Sequence, residues 1–196
     1  MNKNIKCCII AGGTSGRFGS DKSLHVFNGK PMISHIYDTV KKIFDEIYII
    51  APGGEKFSFL DAKIIPDIIP KLGPIGGIYT AVESIDTERV FVFPCDMPFL
   101  NSKFIEYMTT IPDIYDVIVP ALDGMYQPLH AIYHKRCINN IKKKIELKDY
   151  RMSGFYDGLN IRKINEDEIV LYDDPLRMFK NINFKEDIDE AMHYEL

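Results

Sequence analysis

The stretch that most constrains the fold of this chain runs from residue 7 to residue 23 and reads CCIIAGGTSGRFGSDKS. Its first five residues, Cys7 to Ala11, form an apolar run with the length and composition of a buried parallel strand. Four glycines follow, at positions 12, 13, 16 and 19, together with Arg17 and Lys22. Glycine backbones adopt positive φ and approach ligands closely, so their N–H groups can surround an anion. The stretch therefore predicts an anion-binding loop at the carboxyl edge of an α/β sheet, where such sheets bind ligands.

Two common nucleotide-binding patterns do not fit this loop. The Walker A pattern GxxxxGK[ST] needs a lysine directly after its last glycine, whereas Gly16 is followed by Arg17, and Lys22 stands three residues after Gly19. The Rossmann fingerprint GxGxxG needs two glycines with a single other residue between them, and this stretch has no such pair. A third kind of nucleotide loop is predicted. The alternative, an ordinary surface turn with solvated charges, is disfavoured because loops this long are uncommon unless functional.

Composition predicts one globular domain spanning residues 1–196, with 46% hydrophobic and 27% charged residues. The net charge of −4 argues against general nucleic-acid binding but leaves room for a local basic pocket. No run of 18 apolar residues indicates a membrane span, and the start MNKNIKCC leads into a strand rather than a signal peptide, so a cytoplasmic protein is expected. The four cysteines include no CxxC pair, and buried free thiols are predicted for three of them, namely Cys7, Cys8 and Cys95.

Hydrophobic periodicity along the chain predicts alternating strands and helices. Strands are predicted at 7–11, 46–51, 63–66, 89–94, 116–120 and 159–164, and helices at 31–44, 75–85, 101–111, 135–147 and 185–194. Asn28-Gly29 predicts a tight turn, and His35 is expected on the surface of the first helix. Residues 124–133 are predicted to be a loop that enters a strand. This alternation implies an α/β fold with a mostly parallel sheet and right-handed crossovers.

Asp96 is the strongest candidate for chemistry. It follows the most hydrophobic predicted strand and stands between Pro94 and Pro98, which hold it at the ligand edge of the sheet. A carboxylate placed there needs a cation, and Mg²⁺ prefers such oxygen ligands and bridges them to phosphates. Asp67 ends a neighbouring strand and is a second candidate, for a metal-bound water or a ribose hydroxyl. Simple capping or turn roles remain the alternative for both aspartates.

These residues together suggest nucleotidyl transfer. Lys22 and Arg17 would hold a triphosphate and Asp96 a magnesium ion, while an acceptor phosphate attacks the α-phosphorus in line. An acceptor that is already an anion needs no protein base, which agrees with the lack of an evident one. His130 and His134 lie four apart, but in a strand-like run without a carboxylate between them, so a metal site is disfavoured there.

Five segments in order resemble the molybdenum cofactor guanylyltransferases. They are AGGTSGRFGSDKS, the GPIGG loop after Asp67, FPCDMP, Gln127-Pro128, and the NIN of residues 181–183. The resemblance implies a three-layer, Rossmann-like fold of the GT-A type. It also implies transfer of GMP from GTP to molybdopterin carrying molybdenum, with Mg²⁺ as cofactor, and transient contacts with proteins of cofactor biosynthesis.

The resemblance also implies roles for individual residues. Ile10, Ala11 and Gly12 would line the guanine end of the site, and Lys22 would contact the GTP phosphates. Asp67 would contact the nucleotide, and Asp96 both the nucleotide and magnesium. Further positions match the family without a specific role, namely Gly13, Arg17, Gly73, Gly77, Asn181 and Asn183, the asparagines being assigned to the acceptor side.

Some features depart from the family pattern. An asparagine that some members place after the second strand is replaced here by Pro52 or a neighbour, and the loop before Lys22 is one residue shorter. Two alternatives stay open. One is a related nucleotidyltransferase that uses CTP as donor, such as a molybdenum cofactor cytidylyltransferase, or that uses another phosphate acceptor, as sugar and isoprenoid nucleotidyltransferases do. The other is a non-catalytic nucleotide-binding module, against which the intact Lys22 and Asp96 argue.

Overall fold

The strands and helices follow the predicted alternation. The structure is a computed structural model and describes residues 4–12, 21–182 and 187. Within these residues the strands are β1 Ile5–Ile10, β2 Val26–Phe27, β3 Lys30–Pro31, β4 Ile47–Ile50, β5 Lys63–Ile65, β6 Arg89–Pro94, β7 Val117–Leu122, β8 Met125–Tyr126, β9 Ala131–His134 and β10 Ile161–Ile164. The α-helices are α1 Met32–Val40, α2 Pro74–Ser84, α3 Ser102–Thr110, α4 Ile138–Glu146, α5 Glu166–Ile169 and α6 Pro175–Met178. Short 3₁₀ turns lie at Lys22–Leu24, Glu55–Phe57, Lys135–Cys137 and Met152–Tyr156.

The main sheet has the strand order β10-β7-β9-β6-β1-β4-β5, and β8 pairs with β7. Neighbouring strands along this order are parallel except at β9, which runs antiparallel to both β6 and β7. The predicted mostly parallel sheet is therefore confirmed. Because β1, β6 and β7 share a direction, their carboxyl ends lie at one edge, and β9 begins at that same edge.

Helices cover both faces of the sheet, so the predicted three-layer arrangement is also confirmed. Cys7 and Ile9 of β1 face the layer that contains α1 and α3, whereas Cys8 and Ile10 face α2 and α4. Strand β6 has six buried residues, because a central parallel strand is covered on both sides. Burying each large apolar side chain stabilises the fold by about 1.5–3 kcal/mol relative to leaving it exposed.

The start of α1 differs from the prediction. The helix begins at Met32 rather than at 31, because residues 26–31 form a hairpin around Asn28-Gly29, and it ends at Val40 rather than at 44. Both turn residues have positive φ, so the predicted tight turn is confirmed. The prediction that His35 lies on the surface is wrong. The hairpin covers its ring, and the Phe27 carbonyl oxygen lies 2.7 Å from His35 Nε2.

The remaining predicted elements differ only at their ends, such as α3, which Asn101 caps by accepting a hydrogen bond from the Phe104 amide at 3.1 Å. The prediction of free thiols is confirmed: Cys7 and Cys8 are buried, Cys95 is half-buried, and each is unbonded to another sulfur. The predicted last helix, 185–194, falls outside the described residues apart from Asp187. In the described part of the chain, helices are too short and too polar to cross a bilayer.

Candidate functional site

A cleft of about 310 Å³ lies at the carboxyl edge of the sheet, above β1 and β6. We call it the carboxyl-edge cleft. Its lining comes from five places in the chain: the end of β1 (Ile10, Ala11, Gly12), the turn at Asp21, Lys22 and Ser23, the start of α2 (Gly73, Pro74), the end of β6 and the residues after it (Pro94, Cys95, Asp96), and the loop before β9 (Leu129). The cleft therefore lies where open α/β sheets bind ligands.

Gly12 lies in close contact with Asp67 at the end of β1. A Cβ atom at position 12 would stand 3.0 Å from Oδ2 of Asp67 and 3.6 Å from Cδ of Pro52, so only glycine leaves that carboxylate in place. Burial raises the pKa of Asp67. The amide of Ile68 donates to the buried Thr80 hydroxyl at 3.1 Å, which ties the segment after Asp67 to α2. Asp67 thus adjoins the cleft through Gly12 without lining it.

Lys22 is held by a compact turn. The Asp21 carboxylate accepts hydrogen bonds from the Ser23 amide at 3.1 Å and the Ser23 hydroxyl at 2.6 Å. It also pairs with the ammonium group of Lys56, which lies after β4. Burial acts to raise the pKa of Asp21, but the hydrogen bonds from Lys56 and Ser23 outweigh it and the pKa is lowered. The ion pair therefore fixes this turn to the 3₁₀ turn Glu55–Phe57 that follows β4, directly beside Lys22.

Asp96 faces the cleft from the other wall. Burial raises the pKa of its carboxylate, while the nearby positive charge of Lys22 acts in the opposite direction. Within the described residues, the Asp96 carboxylate accepts no hydrogen bond from another side chain. Its carbonyl oxygen accepts the amide of Ile182 at 2.9 Å, which brings Asn181 and Ile182 beside it. An incompletely compensated carboxylate at a cleft is poised to bind a cation or a polar ligand.

The start of α2 closes the cleft on the side of Ile10. Gly73 precedes the helix with φ of 67°, a conformation that favours glycine, and Pro74 occupies the first helical position. Gly77 packs directly against Ile10, since a Cβ atom at position 77 would lie 2.8 Å from Ile10 Cδ1 and Cγ2. The GPIGG glycines thus allow close approach of helix and strand. The positive end of the helix dipole lies at the cleft, which favours anions there.

The structure brings together most of the residues predicted from the sequence. Ile10, Ala11, Gly12, Lys22 and Asp96 line one cleft, and Asp67 contacts Gly12. Gly13, Arg17 and Asn183 lie outside the described residues, so their roles remain predictions.

Asp21, Ser23, Lys56 and Leu129 were not predicted from the sequence. The Asp21-x-Ser23 spacing is a local capping signal that could have identified the turn, because aspartate commonly accepts from the amide two residues on. Lys56 carries no comparable signal, since it lies 35 positions away in the chain.

His130 and His134 do not act together as a pair. The His130 ring is fully buried against Phe91, Phe93, Phe104 and Phe179, and burial lowers its pKa to about 3. Its two ring nitrogens have no hydrogen-bond partner among the described residues. It is a neutral packing residue under the Gln127-Pro128 segment.

The donors at the cleft suit one metal in particular. In residues 4–12 and 21–182, His, Cys, Asp and Glu side chains form no group of three or more that could hold a metal by themselves. Mg²⁺ does not require such a group, since it keeps several waters and is usually bound through one or two carboxylates plus substrate phosphates. The uncommitted Asp96 carboxylate, a hard oxygen donor beside Lys22, therefore fits Mg²⁺ brought in with a nucleotide.

Comparisons with known proteins show the family of this chain. The family model of the MobA-like NTP transferase domain matches residues 7–161. A probable molybdenum cofactor guanylyltransferase of Natranaerobius thermophilus is 34% identical over 99% of this chain and 98% of its own length. One from Aquifex aeolicus is 31% identical over 100% of this chain and 94% of its own length. The crystal structure of molybdopterin-guanine dinucleotide biosynthesis protein A from Archaeoglobus fulgidus has the same fold, with a TM-score of 0.83 at 22% identity over 96% of this chain and 97% of that one.

The parallel sheet, the cleft at its carboxyl edge and these similarities define the class of protein: this is a nucleotidyltransferase. Such enzymes move a nucleoside monophosphate, so a cationic loop facing a carboxylate is the arrangement that their chemistry needs. The chain belongs to the MobA-like NTP transferase family.

Proposed function

We propose that this enzyme transfers GMP from GTP to the phosphate of molybdopterin carrying molybdenum, forming molybdopterin guanine dinucleotide and releasing pyrophosphate. The observation that carries the proposal is that Lys22 and Asp96 line the same cleft, close enough for the positive charge of Lys22 to act on the pKa of the Asp96 carboxylate. The names of full-length relatives above 30% identity support the choice of donor and acceptor.

The reaction balances without a protein base. An oxygen of the acceptor phosphate attacks the α-phosphorus of GTP, and the bond between that phosphorus and the oxygen bridging to the β-phosphorus breaks. The electron pair leaves with pyrophosphate, and no proton has to be removed from an acceptor that is already an anion. The enzyme therefore contributes position and charge neutralisation, which dominate catalysis of phosphoryl and nucleotidyl transfer.

Lys22 and Asp96 divide this work. In the proposal the Lys22 ammonium binds triphosphate oxygens and neutralises charge as pyrophosphate leaves, with Arg17 assisting from the glycine loop. In the proposal the turn of Asp21 and Ser23 positions Lys22, because the Asp21 carboxylate joins the turn to Lys56 in the segment after β4. Asp96 would hold Mg²⁺, which when bound withdraws charge from the phosphate oxygens.

The base of the nucleotide would lie at the end of β1. Ile10 offers an apolar side chain there, and Ala11 and Gly12 offer backbone groups that glycine leaves accessible. Asp67 contacts Gly12 and does not line the described cleft itself; in the proposal its carboxylate would contact the nucleotide from beside Gly12. Asn181 lies beside Asp96 and would meet the acceptor.

The test is pyrophosphate release by the purified protein with Mg²⁺ and molybdopterin carrying molybdenum, using GTP, CTP, ATP and UTP in parallel. We expect turnover with GTP that depends on acceptor and on Mg²⁺, with the dinucleotide product identified by mass spectrometry. A preference for CTP over GTP would end the guanylyl assignment but keep nucleotidyl transfer. Release of pyrophosphate with a sugar or isoprenoid phosphate instead of molybdopterin would replace the acceptor.

A further inference from the structure

A second cavity opens at the same edge of the sheet. It has a volume of about 450 Å³ and is lined by Gly124, Met125, Tyr126, Pro128, Met152 and Tyr156, which we call the tyrosine pocket. None of these residues lines the carboxyl-edge cleft. The lining of the tyrosine pocket is almost wholly aromatic, thioether and proline side chains, which suit the flat face of a ring better than a phosphate or a sugar.

The tyrosine pocket and the carboxyl-edge cleft lie on the same face of the sheet. Ile10 from the cleft and Tyr156 from the pocket belong to the hydrophobic layer that packs on α2 and α4, and Leu129 and Tyr126 border that layer. The two cavities also adjoin along the chain, since Pro128 lines the pocket and Leu129 lines the cleft. A ligand can therefore extend from one cavity into the other without crossing the sheet.

The order of the strands gives the direction and the approximate distance from the carboxyl-edge cleft to the tyrosine pocket. β7 carries the hairpin of the pocket and is separated from β1 by β9 and β6, which is three strand spacings or roughly 14 Å. The residues expected to meet the base, Gly12 and Asp67, lie on the opposite side, toward β4 and β5. The tyrosine pocket is thus on the side of the cleft away from the proposed position of the base.

The segment between the two cavities is held firmly. The Tyr133 hydroxyl donates to the Pro128 carbonyl oxygen at 2.6 Å, and the Tyr156 hydroxyl lies 3.1 Å from the Tyr133 oxygen, to which it can donate. The Gln127 amide donates to the Pro120 carbonyl at 2.8 Å. The Tyr126 and Tyr156 rings meet edge to face, with centroids 5.3 Å apart. Such a pocket is formed before any ligand arrives, which lowers the cost of binding.

We propose that the tyrosine pocket binds the fused ring system of the pterin acceptor, with Tyr126 and Met152 against the ring, while the acceptor phosphate extends past Leu129 to Asp96. This proposal rests on the proposed function, because it names where that reaction's acceptor lies. It makes Tyr126 and Met152 determinants of acceptor binding alone. The residues proposed to contact the nucleotide, Lys22 and Gly12, line the other cavity.

The kinetic test separates the two substrates. We expect Tyr126→Ala to raise the KM for molybdopterin about tenfold, the usual effect of losing one ring-stacking contact. Met152→Ala should raise it about fivefold, because the contact of a thioether with a ring is weaker than stacking. The KM for GTP should stay within about twofold, because GTP binds in the other cavity. Tyr126→Phe keeps the ring and should keep the acceptor KM. Tyr115→Ala is the matched control, since Tyr115 precedes β7 at the opposite edge and should leave both constants unchanged.

Direct binding provides a second measurement that does not need turnover. The chain has no tryptophan, so Met125→Trp places a single indole at the pocket, and Ile114→Trp places one at the opposite end of β7 on an equally exposed residue. Molybdopterin added without GTP should strongly quench the indole emission of the Met125→Trp protein and only weakly that of the Ile114→Trp protein. The quenching should weaken when Tyr126→Ala is added to the Met125→Trp protein.

The outcomes distinguish this proposal from the proposed function. If the wild-type enzyme transfers GMP but the pocket variants keep the acceptor KM, the function stands and the pocket assignment is wrong. If the variants raise the KM for GTP as much as that for molybdopterin, the pocket does not act on the acceptor alone and the assignment is again wrong. If the wild type fails to transfer GMP, the proposed function fails, and quenching that is equal in the two tryptophan variants then overturns the pocket as well.

Discussion

The two walls of the carboxyl-edge cleft each present an aspartate, and the two carboxylates stand in opposite environments. Asp21 on the loop wall accepts hydrogen bonds from Ser23 and pairs with Lys56, and its pKa is lowered although burial acts to raise it. For Asp96 on the strand wall, burial outweighs the nearby charge of Lys22 and the residue's own amide, and its pKa is raised. The protein compensates the charge of the first carboxylate more fully than that of the second.

This difference in environment gives the two carboxylates of one cleft different roles, one in stability and one in ligand binding. A carboxylate whose hydrogen bonds are complete stabilises the fold but has little left to offer a ligand. A carboxylate that is buried with incomplete compensation costs stability in the free enzyme, and that cost is removed when a cation or substrate binds. Asp21 therefore builds the wall, and Asp96 is the residue that remains available for chemistry.

The largest expected effect is on turnover. Asp96→Asn keeps the shape of the side chain but removes its charge, and we expect kcat to fall roughly a thousandfold, as when a transition-state electrostatic contact is lost. Asp21→Asn is the matched variant on the other wall and should lower kcat by less than about tenfold, through looser positioning of Lys22. Both rates are measured as pyrophosphate release at saturating GTP and Mg²⁺. Unchanged magnesium-dependent turnover in Asp96→Asn would remove the metal assignment.

The next largest effect is on stability and concerns the close packing of α2 on β1. Gly77→Ala adds a methyl group 2.8 Å from Ile10, and overpacking of this kind should lower the free energy of unfolding by about 1–3 kcal/mol. Ile10→Val in the same protein should recover part of the loss. The control is Gly54→Ala, whose new methyl group meets Ile64 at an ordinary 3.4 Å. Equal stability of the two single variants in urea unfolding would contradict the close packing of α2 on β1.

The third prediction is that replacing each aspartate by asparagine changes the free energy of unfolding in opposite directions. At pH 7, Asp21→Asn should lower the free energy of unfolding by about 1–2 kcal/mol, because a charged cap and an ion pair are weakened. Asp96→Asn should raise it by about 0.5–1 kcal/mol, because a buried and incompletely compensated charge is removed. Chemical denaturation measures both values. Destabilisation by both variants would mean that Asp96 has a structural partner.

The smallest effect is the pH dependence of the stability changes that Asp21→Asn and Asp96→Asn cause relative to the wild type. The lowered pKa of Asp21 means that its stabilisation is present above the unfolded pKa, about 3.9, and is lost as the pH falls through the folded value below it. The raised pKa of Asp96 means that its penalty disappears as the pH falls through a folded value above about 3.9. On acidification, the advantage of Asp96→Asn should therefore fade before the disadvantage of Asp21→Asn does.

Each difference is taken against the wild type at the same pH. The contribution of His130, whose pKa is lowered to about 3 by burial, is common to all three proteins and cancels. Fading of the two differences in the reverse order would contradict the contrast between the walls.

Several features could be predicted from the sequence because they are encoded by adjacent residues. The strand Arg89–Pro94 was predicted at its observed ends, since four apolar residues, Val90 to Phe93, lie between a charged residue and a proline. The carboxyl-edge position of Gly12 and Asp96 then followed from the parallel direction of the strands. The surface position predicted for His35 was wrong because the hairpin that precedes the helix folds back and covers that side of it.

The sequence by itself determined the fold class, the glycine-rich start of the site and the acidic residue that faces it, because periodicity, glycine placement and strand ends are local properties. Only the tertiary structure decided which aspartate has its charge compensated. Asp21 has this compensation because Lys56, 35 positions away in the chain, donates a hydrogen bond to its carboxylate. The tertiary structure alone also assembled Tyr126, Met152 and Tyr156 into one pocket. Contacts between distant segments depend on how whole layers pack, and a single sequence carries no local signal for them.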